Sequence, residues 1–271
     1  MSVEALLALA DAIGRHALPL FLALLAALLL LVRVSWGGHA QMLPRARAGL
    51  PRPALLLLYA LAGFAIVVGA AAGFAEIAEQ LDPVGAMARA DEALAASISA
   101  HAAPATLRVF ALLTHLGDVA WLALLGAGVA LWLWSRRQRA LAVGWVLALG
   151  GNALLNPALK RIFERVRPVH EHGLVSEMGF SFPSGHTSGA IVTYGMLAYV
   201  ALRTLPAVWH LPAVLGATAL AFTVGCSRVF LQVHYLSDVL AGFASGGAWL
   251  VVCVMSVEAS RRWRGTRTLR K

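Results

Sequence analysis

Seven apolar runs, most of them closed by arginine or proline, constrain this chain more than any other feature. They lie at about 17–34, 54–74, 109–134, 140–157, 183–203, 211–226 and 235–257. An α-helix needs roughly 20 apolar residues to cross about 30 Å of hydrocarbon. The expected fold is therefore all-α, a polytopic transmembrane helix bundle. Composition agrees: 60% of the 271 residues are hydrophobic and only 13% charged, against about 25% charged in soluble domains. A net charge of +9 would suit nucleic acid, but the Lys and Arg residues sit at the ends of apolar runs, as membrane topology requires. No basic face interleaved with aromatics exists, so nucleic acid is excluded as a partner.

Along the chain, residues 2–17 are mildly amphipathic, with Glu4, Asp11 and Arg15 among Ala and Leu. Gly38-His39-Ala40 loosely resembles a leader-peptide cleavage site. The segment before the first run is acidic, however, and Arg33 closes that run, so the run reads as a first transmembrane helix. Arg33, Arg45, Arg47 and Arg52, with Pro44, Pro51 and Pro53, read as a short basic loop. The stretch to about 103, carrying Glu76, Glu79, Asp82, Asp91 and Glu92, reads as one or two amphipathic helices at the interface. The expected organisation is an N-terminal segment with a first span and basic loop (1–52), a membrane domain (53–260) and a basic tail (261–271). The Arg45 loop, Arg136, Arg137 and Arg139, Arg203 and the tail fall on one side, which the positive-inside rule makes cytoplasmic. Cys226 and Cys253, placed near opposite faces, are expected to be packing residues and not a disulfide.

On the other face lie three polar blocks. The first, Lys160 to Arg167-Pro168, is basic on the face where the rule disfavours it, which points to function. The second is Pro183-Ser184-Gly185-His186, and the third is Ser227-Arg228, His234 and Asp238. Lys160, Arg167 and Arg228 border apolar spans, where unpaired cations are costly. Three cations converging from separate loops would suit a phosphoryl dianion and the added charge of its transition state. Ser184 and Gly185 precede a helix, and a helix N-terminus both needs a cap and offers N–H groups to an anion. His234 and Asp238 share a helix face; a carboxylate on Nδ1 would leave Nε2 free to attack. His186 would be the second histidine, donating to the leaving oxygen. Together these residues argue for covalent phosphoryl transfer.

The three blocks, in order and spacing, resemble the signature motifs of the type-2 phosphatidic acid phosphatase superfamily, the lipid phosphate phosphatases. The likeness covers about the C-terminal two thirds of the chain. It implies a six-helix phosphatase core, so the first span would be additional. It also implies a phosphohistidine at His234, a general acid at His186, and orientation of the nucleophile by Asp238. Lys160, Arg167, Ser184, Gly185 and Arg228 would hold phosphate. No metal and no cofactor are implied. The expected function is a phosphatase acting on a lipid phosphate or pyrophosphate at the periplasmic face of the inner membrane, with membrane lipids as its surroundings. Undecaprenyl pyrophosphate, phosphatidic acid, phosphatidylglycerol phosphate and lipid A phosphates all remain open as substrates. A lipid phosphotransferase could use the same pocket. A haloperoxidase fits poorly, since those relatives are soluble. An anion transporter fits less well too, because no internal repeat is visible and the motifs sit at span ends. Oligomeric state is not set by the sequence.

Secondary expectations concern other polar residues. Asn152 and Asn156 are read as bonding across helices, and Arg161 and Arg165 as reaching lipid headgroups. His170 and His172 are placed in a solvated loop at the pocket mouth. Asp118 and His115 stand unassigned at the start of the third run, and the Trp residues read as interface anchors.

Overall fold

The computed structural model describes residues 2–49, 51–168, 174–175 and 177–268, without the side chains of 39–49, 52 and 262–268; His170 and His172 lie outside these residues. Among the described residues the chain is helical, with no strand. α1 (Val3–Arg15), α2 (Ala17–Gly49) and α3 (Arg52–Glu79) lead into α4 (Ala86–His101) and α5 (Pro104–Leu113). A 3-10 turn, Thr114–Gly117, precedes α6 (Val119–Ser135) and α7 (Arg139–Phe163). α8 (Gly185–Thr204), α9 (His210–Phe230) and α10 (Leu236–Thr268) complete the bundle.

Among the described residues, five helical stretches are long and apolar enough to cross a membrane: Ala17–Gly38, Pro53–Glu79, Arg139–Phe163, Ala207–Phe230 and Leu236–Arg261. α6 is apolar but has 17 residues. α8 has the length but not the apolarity, and the reason is its position. It packs against α6, α7, α9 and α10, so Thr187, Ser188, Thr193 and Tyr194 are buried in protein. There, polar groups find partners: the Tyr194 hydroxyl donates to Leu116 O at 2.7 Å and accepts from the Trp121 indole at 3.1 Å. α10 comes close to α8 because Gly242 and Gly246 face it. A Cβ at Gly242 would lie 2.9 Å from Ser184 O, and one at Gly246 would lie 2.9 Å from Ser188 Cα. Small residues four apart allow this approach where lipid offers no hydrophobic drive between helices.

Several sequence expectations change. The third run is not one span from 109: α5 ends at Leu113, and the Thr114–Gly117 turn separates it from α6, which starts at Val119. α5 with that turn is bent by 116° from α4. The basic stretch expected as a loop is helical through Gly49, and Glu76 and Glu79 belong to α3. Two Trp residues are helix ties, not interface anchors. Trp145 is fully buried, donating to Gly126 O at 2.8 Å, and Trp249 donates to Ala148 O at 2.8 Å. Both cysteines are free, and Cys253 joins the core of α6, α7, α8 and α10.

Candidate active site

Three helix ends and two loops bring the blocks together. Lys160 lies in the last turn of α7, which ends where Glu164 turns left-handed (φ 47°). Arg228 lies in the last turn of α9, so two of the three cations stand on helices and not on loops. Ser184 caps α8: its hydroxyl accepts from Thr187 N at 3.5 Å and Thr187 Oγ1 at 2.9 Å. Phe182, fully buried against Phe74 and Phe163, pins the loop leading to that cap. The second and third blocks join directly, as Ser184 N donates to Asp238 O at 3.0 Å.

His234 sits on the turn between α9 and α10. Arg167 Nη1 donates to Val233 O at 2.7 Å and approaches His234 Nε2 to 3.0 Å. A guanidinium can only donate, so Nε2 is the bare nitrogen and the proton is on Nδ1. That Nδ1 faces Asp238 Oδ2 at 3.3 Å, longer than a charge-assisted bond but sufficient to orient the ring. Burial, followed by the Arg167, Arg228 and Lys160 cations, holds the His234 imidazole well below its ordinary value. Arg167 is also fixed by Gly179 O at 3.0 Å, and Lys160 by Phe180 O at 2.7 Å.

His186 Nε2 lies 2.9 Å from Asp118 Oδ1 and 3.8 Å from Glu177 Oε1. Asp118, the residue before α6, also accepts from His115 Nδ1 at 2.7 Å. Partial burial would raise its pKa, but the bonds from His115 and His186 hold the carboxyl below the ordinary range. Arg228 is fully buried. It donates to Thr114 Oγ1 at 2.6 Å and to Glu177 Oε1 at 2.5 Å, while its Nε is buried with no partner. Glu177 is pulled down by the Arg228 and His186 charges against the effect of burial.

A cavity of about 580 Å³ joins these groups. Lys160, Arg167, Glu177, Gly185, His186 and His234 line its polar end, and Val119, Leu122, Ala123, Leu149, Ala153 and Val192 its apolar wall. Ser184, Arg228 and Asp238 stand behind this lining. Gly185 is tight against Asn156, whose Oδ1 would be 2.9 Å from an added Cβ. Asn156 bonds across helices as expected, to Ser188 Oγ at 3.3 Å. No group of three or more His, Cys, Asp and Glu among the described residues could hold a metal ion.

Sequence reasoning missed several site residues. Arg165 does not reach out to lipid; it is buried against Asp238 and Asp91 at 2.7 and 3.0 Å. Asp118, Thr114 and Glu177 also reach the site, and of these only Asp118, beside Gly117 at the start of a run, carried a visible signal. Taken chemically, a bare imidazole nitrogen faces a cavity whose polar end carries Lys160 and Arg167, with a second, proton-bearing histidine, His186, lining the same end.

Such a bundle, with a cation-rich cavity opening along an apolar wall, defines a membrane enzyme that handles an anion on an apolar body. Residues 139–262 match the sequence model of the PAP2 superfamily. Phosphatidylglycerophosphatase B of Bacillus subtilis is 37% identical over 167 residues, covering 59% of this chain and 80% of that protein. Lipid A 1-phosphatase of Rhizobium etli is 33% identical over 190 residues, covering 60% of this chain and 77% of that protein. The crystal structure of the first transmembrane PAP2 type phosphatidylglycerolphosphate phosphatase, from Bacillus subtilis, superposes with a TM-score of 0.62 at 33% identity. It covers 69% of this chain and 93% of that one. The chain belongs to the PAP2 superfamily and is a multi-pass membrane phosphatase.

Proposed function

We propose that this protein hydrolyses a lipid phosphate or pyrophosphate at the periplasmic face of the cytoplasmic membrane through a phosphohistidine. His234 Nε2 attacks phosphorus; the bond from phosphorus to the lipid oxygen breaks, and that oxygen takes the proton of His186. Water then attacks the phosphohistidine, gives a proton back to His186, and the P–N bond breaks to release inorganic phosphate. Asp238 holds the ring and stabilises the imidazolium-like charge. Lys160, Arg167 and Arg228 carry the phosphoryl charge. Gly185 supplies the α8 N-terminus at contact distance, and Ser184 caps it.

The observation that carries this reading is the state of His234: a bare Nε2, among three cations, on a cavity whose other wall is apolar. The unpartnered Arg228 Nε supports it, since a buried unpaired donor costs about 1–3 kcal/mol unless an acceptor arrives. Arg136, Arg137, Arg139 and Arg203, at the end of the bundle away from the cavity, support the outward orientation. Likeness to a phosphatidylglycerophosphatase B supports phosphatidylglycerol phosphate as the first substrate to try, with lipid A phosphates, phosphatidic acid and undecaprenyl pyrophosphate beside it.

The test is a lipid panel with purified protein, scored by released phosphate, together with trapping of labelled phosphoenzyme. An acid-labile, base-stable adduct is expected in wild type and missing in His234→Ala. An adduct that persists in His234→Ala would mean that another residue is the nucleophile.

A further inference from the structure

Asp238, behind His234, is itself held from the other side. Its Oδ1 accepts from Arg165 Nη1 at 2.7 Å, closer than the 3.3 Å contact its Oδ2 makes with His234. The same Nη1 meets Ser237 Oγ at 2.6 Å, while Nη2 reaches Asp91 Oδ2 on α4 at 3.0 Å. The guanidinium lies over the Tyr235 ring, 4.4 Å from its centre. Asp91 also accepts the Ser237 N–H at 3.2 Å and the Ser237 hydroxyl. All three charged side chains are nearly sealed from solvent: Arg165 is 11%, Asp91 6% and Asp238 0% exposed.

α4 lies outside residues 139–262, the segment matched to the superfamily. It is clamped in turn by α1: Ser97 Oγ donates to Asp11 O at 2.9 Å, and a Cβ at Gly14 would lie 2.4 Å from Ser97 Cβ. A chain of contacts thus runs from the N-terminal helix to the catalytic turn.

We propose that Asp91 and Arg165 are positioning residues that fix Asp238, and through it the ring of His234, by a forked bridge anchored on α4. The proposal rests on the reading of His234 as nucleophile. A planar guanidinium can serve two carboxylates at once, which a lysine ammonium, as a point charge, does poorly. Since neither residue lines the cavity, their loss should act on the reaction and not on substrate affinity.

The test uses the purified full chain carrying Asp91→Asn, Arg165→Lys, Asp238→Asn, His234→Ala and the Asp91→Asn/Asp238→Asn pair. Asp91→Asn and Arg165→Lys are each expected to lower kcat about 10²-fold, the scale for misplacing a catalytic group by an ångström. KM and the inhibition constant for inorganic phosphate should hold. In the Asp238→Asn background, Asp91→Asn should cost nothing further, because the bridge acts only through that carboxylate. Should Asp91→Asn fail to fold, Ser237→Ala removes one hydroxyl from the same network and should show a smaller fall in kcat with the same KM. Wild-type kcat in Asp91→Asn, or in a folded Ser237→Ala where that variant stands in, would overturn the proposal. So would KM rising in step with the loss, or a full additional loss on top of Asp238→Asn. Turnover surviving in His234→Ala would instead sink the nucleophile assignment beneath it.

Discussion

His186 Nε2 stands 2.9 Å from Oδ1 of Asp118, and since a carboxylate only accepts, that nitrogen carries a proton. Asp118 thus both supplies negative charge to a would-be imidazolium and sets where its proton points. His186→Ala should slow hydrolysis of lipid esters by about 10²- to 10⁴-fold, the range for general acid catalysis. An activated aryl phosphate, whose leaving group needs little proton assistance, should lose much less. Asp118→Asn should show the same selectivity with a smaller loss on the lipid ester. Equal losses on both substrates would remove His186 from the role of proton donor.

The titration of His234 follows from its surroundings. Burial and three cations depress its pKa, and only the neutral ring has a lone pair to attack. As pH falls through the ordinary imidazole value of about 6.5, the ring should remain neutral and competent, taking up a proton only well below it. Nitrogen-15 NMR of the histidine-labelled protein, with the resonance assigned by its absence in His234→Asn, would measure this. A midpoint at or above 6.5 would contradict the site electrostatics.

Charge in the site comes from Lys160, Arg167 and Arg228, side chains that chelators do not remove. Activity is therefore expected to survive EDTA. Loss on chelation, restored by magnesium or zinc, would show that a metal shares the work.

Orientation is open to labelling from outside intact cells. Val84, 81% exposed between α3 and α4, lies toward the catalytic end, and exposed Gln138 lies at the opposite end, before α7. A membrane-impermeant thiol reagent should modify Val84→Cys and spare Gln138→Cys; the reverse pattern would invert the topology.

The helices themselves were legible because span length and hydropathy follow directly from bilayer thickness, and the three polar blocks were legible because their spacing is strict. What escaped was whatever depended on neighbours. Hydropathy runs on through 109–134, so the break at Thr114–Gly117, which brings Thr114 and Asp118 to the site, left no trace beyond Gly117-Asp118. Arg161 and Arg165 look alike on paper. Yet Arg161 lies exposed in the last turn of α7, while Arg165, beyond the left-handed residue Glu164, turns inward. Trp145 in α7 reads like any membrane tryptophan until Gly126 O of α6 is placed opposite its indole. Asp91 reads as one acid of an interfacial amphipathic helix because nothing local shows that Ser237 and Arg165 surround it.

The tight seam between α8 and α10 has a consequence for how such an enzyme can diversify. Ser184, Gly242 and Gly246 lock together the two helices that carry His186 and Asp238, so there is almost no room for change along that seam. The apolar wall of the cavity is contributed mainly by α6 and α7, through Val119, Leu122, Ala123, Leu149 and Ala153. Most of the apolar wall therefore lies away from the seam that carries His186 and Asp238. Side chains of that wall can change size while His186 and Asp238 keep their places on the seam.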